Sequence, residues 1–174
     1  MRPRHNHGFT IVELLIVIVV IAILAAITIV AYNGIQNRAR DAQRLSDITA
    51  IAKALESYKA QTGSYPTAVG NSVGGWEISS NPNGNHAFLD QLVTAGVVSK
   101  VPVDPVNTGD MNTAGSKIYA YYRYPAGTNG CPSAFYVLVV LTGETGASSG
   151  VSPGGTCGTA SGPGGWWQKL VQDL

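Results

Sequence analysis

An apolar stretch near the amino terminus constrains this chain more than any other feature. From Leu14 to Ile27 the sequence contains no polar side chain. The apolar character extends to Ile11 on one side and to Ala31 on the other, interrupted only by Glu13 and Thr28. At about 1.5 Å per residue, a helix of this length crosses the roughly 30 Å hydrocarbon core of a bilayer. The sequence therefore predicts one transmembrane helix.

Glu13 is the ionisable residue inside this stretch. A carboxylate at the centre of a bilayer costs on the order of 2.5–3.5 kcal/mol. Near the membrane edge the cost is lower, because the first turn of a helix favours an anion. A simple structural explanation is that the side chain extends to the headgroups. The alternative, which we favour, is that Glu13 has a function.

Composition and charge bound the class of protein. With 174 residues, the chain has room for one domain plus a long helix. Charged residues make up 12% of the chain and the net charge is +1, so the sequence predicts no specific nucleic-acid partner. One local basic cluster, Arg38, Arg40 and Arg44, is interleaved with Asp41 and Asp47. We predict that these residues form a solvated helix face.

The sequence contains no residue set typical of catalysis or metal binding. Two of the three histidines lie in the first seven residues, and His86 lies alone in a stretch rich in Asn and Gly. Neither a Ser/His/Asp set nor a pair of catalytic carboxylates can be assembled. We therefore predict that the protein is not an enzyme and that it binds neither cofactor nor metal.

The two cysteines, Cys131 and Cys157, both lie late in the chain. In a cytosolic protein they would be free thiols, whereas beyond a membrane span they are expected to form a disulfide. This bridge would constrain the Gly-, Ser- and Pro-rich stretch 146–165, which has too few apolar residues to order itself. In the chain-entropy model such a bridge raises the free energy of unfolding by roughly 3–4 kcal/mol.

Residues 1–8, MRPRHNHG, are basic and contain no acidic side chain, so we expect them to stay in the cytoplasm. A secretory signal peptide is the alternative, with small residues for cleavage at Ala22, Ala25 and Ala26. Two features count against it. The apolar run is longer than the usual h-region of about 7–15 residues, and Glu13 lies where that region should be most apolar.

A short basic leader that ends in glycine, followed by Phe-Thr-Ile-Val-Glu-Leu and an apolar run, resembles a type IV prepilin or the related pseudopilins. The resemblance implies cleavage between Gly8 and Phe9 by a prepilin peptidase, methylation of the new Phe9 amine, and extraction from membrane lipid into a helical filament. Many type IV pilins carry a mid-helix proline where this chain has Val30, and no proline occurs between Phe9 and Tyr65.

Beyond the span, residues 32–62 keep a helical but now amphipathic pattern. Apolar residues recur at steps of three and four, at Leu45, Ile48, Ala52, Leu55 and Tyr58. The sequence predicts a single helix from about Phe9 to Thr62. Gly63 is suited to end it, and Pro66 prevents its continuation.

Residues 63–174 are predicted to form a globular region with a small antiparallel sheet. The expected elements are a short helix at His86–Ala95 with Phe88, Leu89, Leu92 and Val93 on one side, strands at 117–124 and 135–141, and a third strand near 156–160. Val101–Asn107 should be extended, and its Pro-Val-Asp-Pro sequence resembles a segment of many pseudopilins and Gram-positive pilins. An apolar tail, 166–174, should dock on this region. An adhesive surface there is the alternative.

These observations predict an α+β fold in which a long amino-terminal helix packs on a small antiparallel sheet. Its parts are a leader (1–8), a transmembrane and filament-core helix (9–31), an amphipathic continuation (32–62) and the globular region (63–174). By resemblance, the function is that of a structural subunit of a type IV pilus for adhesion, motility or DNA uptake. The alternatives are a pseudopilin of a type II secretion or competence apparatus, and a signal-anchored surface enzyme or binding domain.

The resemblance also implies partners and locations. The precursor should cross the cytoplasmic membrane once with its globular region outside, and the mature chain should lie in an extracellular filament of identical subunits built by a membrane assembly machinery. In that filament the Phe9 amine of one subunit could neutralise Glu13 of its neighbour. A lone charge in such a core would cost several kcal/mol. The register of neighbouring helices that pairs the two charges is therefore favoured.

Overall fold

The computed structural model describes residues 9–81, 86–128, 132–144 and 149–151. The chain divides into two compact units, Met1–Arg38 and Ala39–Leu174. The second unit is called the head below. The predicted leader, Cys131, Cys157, the predicted strand near 156–160 and the apolar tail all lie outside the described residues.

Helix α1 runs from Ile11 to Thr62, which confirms the long amino-terminal helix. It ends as expected, since Gly63 adopts a left-handed conformation (φ 84°) and donates its N–H to the carbonyl of Lys59 at 2.8 Å. In the first unit the large apolar side chains from Leu14 to Ile27 are 47–64% exposed. Among the described residues, α1 is the one helix long and apolar enough to cross a membrane, and its apolar window is not buried within the chain.

The head contains a four-stranded antiparallel sheet in the order β1-β2-β3-β4. Its strands are β1 (Glu77–Ile78), β2 (Tyr119–Tyr124), β3 (Phe135–Val140) and β4 (Ser149–Val151). The strands predicted at 117–124 and 135–141 are confirmed as β2 and β3, with Tyr121 opposite Leu138. β1 was not predicted, because two residues are too short for a periodic pattern. β4 lies in the stretch expected to lack its own order, where backbone pairing to β3 compensates for its few apolar residues.

Two apolar layers cover the faces of the sheet. α1 contributes Ile48, Ile51 and Leu55 to the layer that also contains Tyr136 and Leu138. The opposite face buries Trp76, Ile78, Ile118, Ala120, Phe135, Val137, Val139 and Leu141. β3 is therefore buried on both sides, as its continuous apolar sequence predicts.

The short helix of the head, α2 (Asp90–Thr94), is about half as long as predicted. It begins only after Leu89, which adopts a left-handed conformation with φ 50°. Phe88, Leu89 and Leu92 are buried as expected, but Val93 is 41% exposed. The prediction for Val93 was wrong because the late start of the helix changes which side chains face the core.

Candidate assembly site

The first turn of α1 is closed by a reciprocal pair of side chains. Glu13 accepts hydrogen bonds from the Thr10 backbone N–H at 2.8 Å and from the Thr10 hydroxyl at 2.7 Å. The Thr10 hydroxyl oxygen in turn accepts the Glu13 N–H at 3.2 Å. This is a capping box, which satisfies two amide groups that a helix start leaves unpaired.

The capping box gives Glu13 a partner within its own chain. This role was not predicted from the sequence, although Thr-x-x-Glu before an apolar run is the pattern that indicates a capping box. Phe9 directly precedes the box and is 89% exposed, so the position of the predicted new amine is accessible. The arrangement offers an anion at the start of an exposed apolar helix, next to an accessible Phe9.

A buried ionic network lies in the head, centred on Arg44. The Arg44 side chain is 2% exposed and binds both carboxylate oxygens of Asp104, at 2.6 Å from Nε and 3.0 Å from Nη2. Asp104 is fully buried. The prediction of a solvated face for Arg44 was wrong, because the carboxylate that pairs with it lies 60 residues away in the sequence.

Glu144 extends this network to other segments of the head. Its carboxylate contacts Lys117 at 3.1 Å, Arg44 at 3.3 Å and Arg40 at 3.4 Å. Its N–H donates to Asp41, which also accepts a hydrogen bond from Arg44 at 2.8 Å. The network thus joins α1 to the Pro-Val-Asp-Pro segment, to Lys117 two residues before β2, and to the turn after β3.

The network predicts that acid destabilises the head. Burial alone would raise the pKa of Asp104, but the Arg44 guanidinium and the N–H groups of Val106 and Asn107 outweigh it and hold that pKa below 3.8. The pKa of Glu144 is also lowered, because its contacts with Lys117, Arg44 and Arg40 outweigh its partial desolvation. A carboxyl group with a lowered pKa stabilises the fold above its unfolded-state value and loses that contribution as the pH falls.

We therefore expect the free energy of unfolding to drop as the pH falls below about 4, with both carboxyl groups contributing. Denaturant unfolding of the full chain in detergent micelles, between pH 2.5 and 6, measures this dependence. Asp104→Asn is the comparison variant, which should be less stable at pH 6 and should vary less with pH. An equally steep dependence in Asp104→Asn would assign the effect to other groups.

The amino-terminal segment matches a family model, the prokaryotic N-terminal methylation motif, over residues 3–29. The core protein G of the type II secretion system from Pseudomonas aeruginosa is 33% identical to this chain over 105 residues, or 60% of this chain and 71% of that protein. The chain belongs to the type IV pilin and pseudopilin family.

Other core G proteins match over stretches of different length. The core protein G from Aeromonas hydrophila is 37% identical over 67 residues, and the match spans about half of that relative, 47% of its length. The same protein from Klebsiella pneumoniae is 29% identical over 103 residues, or 59% of this chain and 70% of the relative. No solved structure matches the chain.

Family membership establishes the class of protein. Members are structural subunits rather than enzymes. This finding argues against the alternative of a signal-anchored enzyme. The methylation motif and the apolar helix are those of a membrane-anchored precursor. Processing by a prepilin peptidase and assembly into a filament are part of the function proposed below. The positions of cleavage, methylation and subunit pairing stay predictions.

Proposed function

We propose that this protein is a pseudopilin, a structural subunit of a type II secretion filament that stays within the cell envelope. The observation that carries the proposal is the similarity to the Pseudomonas core protein G, which extends beyond the amino-terminal motif to 71% of that protein. The absence of a proline between Phe9 and Tyr65 and the Pro-Val-Asp-Pro sequence support the same choice.

The proposed assembly begins with removal of residues 1–8 and methylation of the Phe9 amine. Residues 9–31 then leave the membrane and form the filament core, while 32–62 continue the helix beside the globular region 63–174. In the core, Glu13 exchanges its contact with Thr10 for the Phe9 amine of a neighbouring subunit. A disulfide between Cys131 and Cys157 belongs to the same proposal.

We expect the mature chain to begin at Phe9 with a methylated amine. Mass spectrometry of the amino-terminal peptide from membrane and filament fractions measures the cleavage site and the methylation together. Cells that lack the prepilin peptidase are the control and should retain Met1. A mature chain that keeps Met1, or begins after Ala26, would contradict the proposal.

A type IV pilus subunit is the second candidate, favoured by the pair of cysteines in the carboxyl-terminal part of the chain. Location separates the two candidates. A pseudopilin filament should remain with the cell envelope when cells are sheared at native expression, whereas a pilus subunit should appear in the sheared extracellular fraction.

A further inference from the structure

The residue that follows the apolar run of α1 carries a side chain suited to a membrane surface. Tyr32 is 60% exposed, and its hydroxyl oxygen accepts a hydrogen bond from the Gln36 side chain at 2.5 Å. Tyrosine is enriched where a membrane meets water, because its ring is apolar and its hydroxyl is polar. Gln36 lies one helical turn further along, so a polar pair begins immediately where the apolar run ends.

The spacing between Tyr32 and Glu13 matches the thickness of a membrane. At about 1.5 Å per residue, roughly 29 Å of α1 separates the two residues. The hydrocarbon core of a bilayer is about 30 Å thick. With Tyr32 at one membrane surface, Glu13 therefore lies at the other, where water and headgroups solvate its charge. A shift of the helix by one turn, about 5.4 Å, toward the Tyr32 side would draw this carboxylate into hydrocarbon.

An arginine without an ion pair lies shortly beyond Tyr32. Arg38 is exposed, and no carboxylate in the described part of the chain forms an ion pair with it. The other two arginines of the basic cluster differ in this respect, since Arg40 and Arg44 both contact Glu144. Within the cluster, the charge of Arg38 is therefore left for an anion outside the chain.

Position and direction bring the Arg38 guanidinium close to the headgroups. Its Cα lies about 9 Å beyond that of Tyr32 along the helix axis. The headgroup layer is about 5–7 Å thick on each side of the hydrocarbon core. Helical side chains lean toward the amino terminus of their helix, as Gln36 does when it reaches Tyr32. For Arg38 that direction is toward the membrane, so the guanidinium reaches the level of the lipid phosphates.

We propose that Arg38 binds lipid phosphate groups at the membrane surface and, together with Tyr32, fixes the depth of the precursor helix. A guanidinium and a phosphate form charge-assisted hydrogen bonds, often two in parallel. The leader arginines, Arg2 and Arg4, are lost in the proposed processing, whereas Arg38 stays with the mature chain. The contact requires only a membrane-anchored precursor, so a pseudopilin and a pilus subunit would share it.

Solid-state NMR of the full chain in vesicles of phosphatidylethanolamine and phosphatidylglycerol tests the contact. The dipolar coupling between carbon-13 in the arginine guanidinium groups and lipid phosphorus-31 gives their distance, which should be about 5 Å or less. Arg2→Lys and Arg4→Lys remove the leader arginines from the signal in every sample. Arg38→Gln should then abolish the coupling. Arg40→Gln is the matched control and should keep it, because Glu144 already pairs with Arg40. Coupling that persists in Arg38→Gln, or disappears in Arg40→Gln, would overturn the proposal.

Two further measurements test the source of the phosphate and the depth of the helix. In vesicles of a phosphate-free galactolipid the coupling should be absent, even with inorganic phosphate in the buffer. A coupling to inorganic phosphate there would show an ion site in place of a membrane contact. In the phospholipid vesicles at about pH 7, the carbon-13 shift of the Glu13 carboxyl should be that of a carboxylate, because a charge at the surface stays solvated. A protonated Glu13 would overturn the depth assigned to the helix.

Discussion

Replacing Arg44 by methionine should lower the free energy of unfolding of the head by about 3–5 kcal/mol. The substitution keeps much of the apolar volume but leaves the fully buried Asp104 without its cation. The N–H groups of Val106 and Asn107 still contact Asp104, but they carry no net charge to balance it. Denaturant unfolding of the full chain in micelles measures the loss.

Two variants test whether the loss of stability in Arg44→Met comes from the ionic network or would follow any substitution on this helix. Lys53→Met changes an exposed cation on the same helix and should shift the stability by less than about 0.5 kcal/mol. Adding Asp104→Leu to Arg44→Met removes the buried carboxylate that has lost its cation. The double variant should therefore regain a large part of the lost free energy of unfolding. A loss below about 1 kcal/mol in Arg44→Met would show that the network does not hold the head together.

The second large effect is expected at Glu13. Glu13→Leu should insert into the membrane and be cleaved after Gly8, yet form few or no filaments. Because Glu13 also caps its own helix, the leucine variant loses both the helix cap and the negative charge. Glu13→Gln separates them, since the amide still accepts the Thr10 N–H but carries no charge. We expect filament numbers in Glu13→Gln to fall about tenfold or more, because an unpaired charge in a dry core costs several kcal/mol.

Electron microscopy of cells that express each variant at equal levels counts the filaments. Thr10→Ser is the matched control, since serine keeps the hydroxyl of the capping box, and it should assemble like the unmodified chain. Filament numbers in Glu13→Gln equal to those of Thr10→Ser would contradict a role for the charge and leave Glu13 as a helix cap.

Features that depend on neighbouring residues in the sequence could be predicted. The apolar run predicts the first half of α1, and apolar residues at every third or fourth position predict its second half. Gly63 and Pro66 predict where it ends. The continuous apolar sequence of β3 likewise indicates a strand buried on both faces. The signal for the Thr10–Glu13 capping box was also local. It was not predicted because Glu13 was considered as a charge in the membrane and as a partner of another subunit, and not as a partner of Thr10.

Features that depend on distant residues could not be predicted in this way. Arg44 is spaced like an exposed residue, and only the fold brings Asp104 and Glu144 to its guanidinium. Glu77 follows a tryptophan in an irregular stretch, and no sequence pattern indicates that its buried carboxylate accepts hydrogen bonds from the backbone amides of Val69 and Leu89. The length of α2 depends on the left-handed conformation of Leu89, which no local preference of leucine favours.

We propose that subunits assemble through the amino-terminal helix and that Glu13 exchanges its contact with Thr10 for the Phe9 amine of a neighbouring subunit. Electron cryomicroscopy of the assembled filament measures the distance from the Glu13 carboxylate to the nearest Phe9 nitrogen of another subunit. We expect an ion-pair distance of about 4 Å or less. A separation well beyond that limit, with Glu13 still bound to Thr10 of its own chain, would contradict this account.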